Sequence, residues 1–153
     1  MYILLLNDVV GEIIMDITKY PHYELYSFAE LLFLKKDDLI PEKCNRRCVY
    51  STIINRCYYS SYLYSLEWLF EKFGFKPRPP EDFDKNERFI TEHKQVRDTL
   101  KEKNFSAISY ELADLAILRK KEDYDPFLDI SDDELSDAME SMGIIFEKLC
   151  SSR

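Results

Sequence analysis

Glycine and histidine are scarce in this chain, with three of the first and two of the second among 153 residues. No glycine-rich loop is present to cradle a phosphate, and no Gly-x-Ser-x-Gly turn is present to raise a nucleophile. Two histidines are too few for a histidine-rich metal site within one subunit, and neither His-Glu-x-x-His nor Cys-x-x-Cys occurs. Long apolar runs are also missing. None approaches the roughly 18 to 20 residues of a membrane span, and Met1 to Leu6 carries no basic region before it meets Asn7 and Asp8. The four cysteines, Cys44, Cys48, Cys57 and Cys150, are therefore expected as reduced thiols of a cytoplasmic protein. Cys44, Cys48 and Cys57 have zinc-like spacing but no compact fourth ligand, so neither metal nor cofactor is expected.

What is abundant is apolar and charged residues, at 46% and 33%, with a net charge of -8. A single domain spanning 1 to 153 is expected, with long helices that keep one face in water. So acidic a surface argues against broad, sequence-blind binding of nucleic acid, which depends on neutralising phosphates. It leaves room for a local basic site.

Apolar residues at three- and four-residue spacing predict five helices. The first covers Tyr23 to Leu34, with Leu25, Phe28, Ala29, Leu32 and Phe33 as its stripe; Asp37, Asp38 and Pro41 mark its end, and the connection from Pro41 to Arg47 is polar and basic. The second runs from about Val49 to Phe73 and stops at Gly74. Its Cys57, Ser60, Ser61 and Ser65 are small enough to admit a neighbouring helix closely. It also carries Tyr50, Tyr58, Tyr59, Tyr62 and Tyr64, with hydroxyls expected at the rim or facing a dimer partner. The prolines of Lys76 to Asp84 forbid helix there. The third starts at Asn86 or Thr91 and ends at Glu102, with Phe89, His93, Val96 and Leu100 inward. The fourth covers Phe105 to Lys121, capped by Asn104 or Ser106. The fifth begins at Ser131 in a capping box with Glu134. Residues 1 to 20 form an extension read either as a short strand, Tyr2 to Leu6, or as a helix, Val9 to Ile17. The fold class is an all-α, up-and-down bundle.

Chemistry concentrates where the fourth helix ends. Arg119 follows an apolar run, and a guanidinium there can grip a phosphate at two points; Lys120 and Lys121 extend the positive charge. The same residues also suit a helix C-terminus, whose dipole favours cations. Tyr124 can orient a phosphate, but it is a poor base at neutral pH. His93 is a candidate general acid or base, or else a core histidine with one partner. Arg56 is a second candidate phosphate ligand, or an ion-pair member with Asp114 or Asp123. The run from Glu122 to Glu140 holds nine carboxylates and no lysine or arginine. It lacks the ligand spacing of a calcium loop.

Three segments, taken in order, resemble a known family. Asn55-Arg56-Cys57-Tyr58-Tyr59-Ser60-Ser61-Tyr62 is similar to a signature of the HEPN superfamily (higher eukaryotes and prokaryotes nucleotide-binding), in its small stand-alone prokaryotic branch. Glu92-His93-Lys94-Gln95-Val96 resembles the start of that branch's next helix, and Leu115 to Tyr124 its Leu-x-x-x-Arg-x-x-x-Asp-Tyr ending. Ala138 to Leu149 fits the closing helix, and the likeness covers about residues 46 to 150. The resemblance implies a homodimer that binds RNA or a nucleotide. It further implies metal-independent ribonuclease activity in defence, CRISPR-linked or toxin–antitoxin systems, with Arg119 as the motif arginine of a composite site. Tyr124 stands where many members keep a histidine. This departure leaves open a non-catalytic module that partners a nucleotidyltransferase-type antitoxin or another defence protein.

Overall fold

A computed structural model describes residues 21–40, 45–124 and 129–152, with the side chains of 122–124 excepted. It holds five α-helices: α1 Pro21–Leu39, α2 Arg46–Phe73, α3 Glu92–Glu102, α4 Ser106–Tyr124 and α5 Asp132–Ser151. Among the described residues there is no strand, and the helices pack as an all-α bundle. The expectations for residues 1 to 20 and for Pro41 to Cys44 lie outside the described residues.

Local signals set most of the helix ends. Asn45 accepts from the Arg47 amide to open α2, and Gly74, at φ 65°, closes it in the left-handed conformation that glycine adopts without strain. Thr91 caps α3. Ser131 and Glu134 form the expected reciprocal capping box. Asn104 does not open α4. It sits at φ 67°, just past α3, and the Phe105 amide reaches back to the Leu100 carbonyl, so it ends the preceding helix instead. The helix α1 runs through Asp37 and Asp38, which pair with Lys36 and Lys35, and ends at Leu39, two residues before Pro41.

The helix α2 touches all four others. Against α5 it runs parallel at a constant offset: Tyr50 meets Asp132, Cys57 meets Met139 and Ser60 meets Met142. Small residues let the two axes approach, since Cys57, Ser60, Ser61 and Ala138 are all fully buried. The helix α1 lies antiparallel on one side, with His22 stacked on Tyr64 at 4.7 Å. The helix α4 lies antiparallel on the other side, with Phe105 against Trp68 at one end and Arg119 against Tyr59 at the other. The all-α bundle of five helices holds, but α3 departs from strict alternation: it runs alongside α2 in the same direction, with His93 near Tyr62 and Lys103 near Phe73. Two stripe assignments do not hold. Phe28 is exposed on the outer side of α1. Phe89 falls before α3 begins and is exposed, packing its ring edge-on against Phe83.

The connector between α2 and α3 makes a single 3-10 turn at Pro80–Asp82. It is tied to α3 through Arg78, whose amide donates to the Gln95 side chain and whose guanidinium pairs with Glu87. This fixes where α3 starts, and so where His93 lies. No helix among the described residues is long and apolar enough to cross a membrane.

Candidate phosphate-binding site

The middle of α2 presents Tyr58, Tyr59 and Tyr62 on one side, and the start of α3 lies across them. His93 sits 4.2 Å from the Tyr62 ring, centroid to centroid, and 5.6 Å from that of Tyr58. Its Nδ1 is 2.8 Å from the Tyr58 hydroxyl. Arg119, coming from α4, lays its guanidinium 4.7 Å from the Tyr59 ring and 5.3 Å from the Tyr58 ring. At these separations a cation is held by the aromatic face. Glu92 accepts the Tyr62 hydroxyl proton, which anchors the first turn of α3 on α2.

Three groups separated in sequence, on α2, α3 and α4, therefore meet in one half-buried cluster. Of the residues the sequence points to, Arg119 and His93 are brought together, with Tyr58 between them. The side chain of Tyr124 lies outside the described residues. Lys120 is exposed, and Lys121 is paired with Glu134. Arg56 does not form the ion pair expected with Asp114. Among the described residues it makes no ion pair, and its Nε is buried without a hydrogen-bond partner. The other candidate partner, Asp123, has its side chain outside the described residues.

The electrostatics of the cluster favour neutral His93. Burial lowers its pKa first, then the nearby Arg119 charge; Glu92 opposes this, and Arg97 adds to it. Burial raises the pKa of Tyr58, while Arg97 and Arg119 pull it back by charge and Arg119 also by hydrogen bonding. Tyr58 is thus a hydroxyl at neutral pH. A guanidinium can only donate, so the Tyr58 oxygen accepts from Arg119 and its proton goes to His93 Nδ1. Neutral imidazole then carries its proton on Nε2. In this tautomer His93 is a hydrogen-bond donor, as suits a phosphate oxygen, rather than a base.

Sequence reading missed Arg97 and the linking role of Tyr58. Arg97 follows His93 by one helical turn, and this i, i+4 spacing could have marked it as a neighbour. The role of Tyr58 depends on how α3 crosses α2, which no local pattern encodes. Tyrosine hydroxyls of α2 find partners within the chain: those of Tyr50, Tyr58, Tyr62 and Tyr64 meet Asp132, His93, Glu92 and Cys150. Among the described residues no three acidic, cysteine or histidine side chains gather as a metal site, and Cys48 is exposed while Cys57 is buried against Met139. Comparison with family models, curated proteins and solved structures finds no match to the chain.

Proposed function

We propose that the protein is a HEPN-type domain that binds RNA or a nucleotide through a phosphate held at the Arg119–Tyr58–His93 cluster. The observation that carries this reading is the 2.8 Å contact between His93 and Tyr58 beneath the Arg119 guanidinium. It joins the α2, α3 and α4 segments that resemble the family. Arg119 grips two phosphate oxygens, Arg97 adds positive field, and His93 Nε2–H donates to a third oxygen. No metal takes part in this scheme.

The family resemblance extends the proposal to cleavage by a homodimer. The 2'-hydroxyl of a ribose attacks the adjacent phosphorus and gives its proton to solvent, the P–O5' bond breaks, and the departing 5'-oxygen takes a proton from solvent. The products are a 2',3'-cyclic phosphate and a 5'-hydroxyl end. Arg119 stabilises the charge that grows on the non-bridging oxygens, and His93 Nε2–H polarises the same group. Incubating the protein with mixed RNAs in excess chelator tests this step. Cyclic-phosphate ends are expected from wild type, whereas intact RNA, or equal products from Arg119→Ala, overturns the cleavage reading.

One observation favours a second reading, as a non-catalytic module beside a nucleotidyltransferase-type antitoxin or another defence protein. A groove of about 430 Å³ between α4 and α5 sets Glu111, Asp114, Asp137 and Glu140 around Ile117 and Ile144. Such a surface suits a basic, amphipathic partner segment. Ile117→Arg would abolish co-purification of that partner from the native host if this reading holds, and an unchanged complex would remove it.

A further inference from the structure

At the far end of α2 from its N-terminus, three exposed aromatic rings each lie under a lysine. Phe70 is 45% exposed, Phe73 45% and Tyr110 58%. Lys76 Nζ sits 5.4 Å from the Phe70 centroid, Lys103 5.0 Å from Phe73 and Lys101 4.9 Å from Tyr110. They come from three elements: the last turn of α2 with its exit, the end of α3 and the first turns of α4. The Phe73–Lys103 contact ties α2 to α3, and the Lys101–Tyr110 contact ties α3 to α4. The patch is therefore continuous across the end of the bundle. Glu71 and Glu102 are exposed nearby, so the lysines outnumber the carboxylates only locally, on a chain whose net charge is -8.

Phe28 and Phe89 are exposed as well, but among the described residues only Phe70, Phe73 and Tyr110 gather at one end of the bundle with a lysine over each ring. Phe73 also packs edge-on against the buried Trp68, at 5.7 Å between centroids, whereas Phe70 and Tyr110 are held by their lysines. Alternating flat rings and cations match single-stranded nucleic acid, which offers bases to stack and phosphates to pair. The placement also fits the site described above. Tyr59 and Phe70 stand eleven positions apart on α2. Eleven residues make about three turns, so the two share a face, roughly 16 Å apart.

We infer that this aromatic–lysine end is a second, base-stacking site for single-stranded RNA, reached by a strand whose phosphate occupies the Arg119 cluster. The inference rests on the RNA reading above for its ligand, but it uses other residues and fails separately. Stacking on Phe70 and Tyr110 supplies contacts tolerant of sequence, and Lys76, Lys101 and Lys103 neutralise the backbone. The acidic remainder of the surface confines the strand to this path.

Fluorescence anisotropy with labelled single-stranded oligoadenylate, long enough to cover both sites, tests it. Four proteins are compared with wild type: Phe70→Ala/Tyr110→Ala, Lys101→Ala/Lys103→Ala, Arg119→Ala, and Phe28→Ala/Leu31→Ala as an exposed apolar control on α1. Thermal melts followed by circular dichroism verify that each is folded. Loss of the two rings is expected to weaken binding by roughly 5- to 150-fold per stacked base. Loss of the two lysines is expected to lower the slope of affinity against salt, on logarithmic axes, by about 1.4. The control keeps wild-type affinity. If ring loss weakens binding while Arg119→Ala does not, the stacking site stands and the Arg119 reading falls. If Arg119→Ala alone weakens binding, the stacking site is overturned and the Arg119 reading stands. No binding by wild type overturns both, as does a preference for an acidic peptide of equal charge over RNA.

Discussion

Arg46 and Arg119 both lay a guanidinium against tyrosine rings of α2, 4.9 Å from Tyr50 in one case and 4.7 Å from Tyr59 in the other. Their surroundings differ. Arg46 shares Asp132 with the Tyr50 hydroxyl, and Asp132 stands in the first turn of α5. The Tyr50 hydrogen bond, and then the Arg46 charge, hold the Asp132 carboxyl below its usual range. Cation, hydroxyl and carboxylate complete one another there, and together they tether α5 to α2. At Arg119 the tyrosine hydroxyl leads on to a neutral histidine, and Arg97 adds a second positive field on both groups. The first arrangement ties two helices through a carboxylate. The second brings arginine, phenol and imidazole from three helices together.

Substitutions at matched positions break this comparison in opposite directions. The largest effect is expected from Arg119→Ala, which lowers RNA binding or turnover by about 100-fold or more with little change in melting temperature. Arg46→Ala, assayed beside it by the same anisotropy and melting curves, keeps RNA affinity and melts earlier. Next comes Tyr58→Phe, which removes the hydroxyl between Arg119 and His93. Losing one positioned donor–acceptor link costs about fivefold in binding, on the order of 1 kcal/mol, read by titration calorimetry. Tyr50→Phe mirrors it on the structural side: the melting temperature falls by about 2 to 4 °C and RNA affinity stays.

The smallest effect is in the pH dependence of stability. Burial and the two arginines lower the His93 pKa in the folded chain below its usual 6.5. As pH falls through the unfolded value, the unfolded chain binds a proton before the native one does, so stability is lost on the acid side and not above pH 7. The slope stays well under the one-proton limit of about 1.4 kcal/mol per pH unit, because His93 keeps part of its surface in water. Denaturant titrations across this range are expected to show the dip in wild type and a flatter curve in His93→Gln.

Much of the fold was legible because its signals are local. Gly74, Thr91, Ser131 and Glu134 act within a turn or so of their own positions, and the buried stripe of α2 repeats at helical spacing. Asn104 shows where local reading falters. Asparagine both caps helices and adopts left-handed φ, and only the Phe105–Leu100 hydrogen bond decides between them. The site was half legible. Arg119 and His93 stood out by residue type, but their link through Tyr58 is tertiary, set by Gln95 and Glu92 fixing α3 on the connector and on α2. The absence of an Arg56–Asp114 pair was not legible for the same reason, because the side of α2 that α4 covers is decided by packing.

The imidazole titration of His93, followed by NMR with and without a bound nucleotide, tests the central claim most directly. The chain has only one other histidine, His22, stacked on Tyr64 in the core, which serves as the internal reference. The His93 pKa is expected below 6.5 in the free protein, higher in Arg119→Gln, and higher again in wild type when a phosphate sits beside it. A His93 titration that ignores both the arginine and a saturating nucleotide would contradict the account.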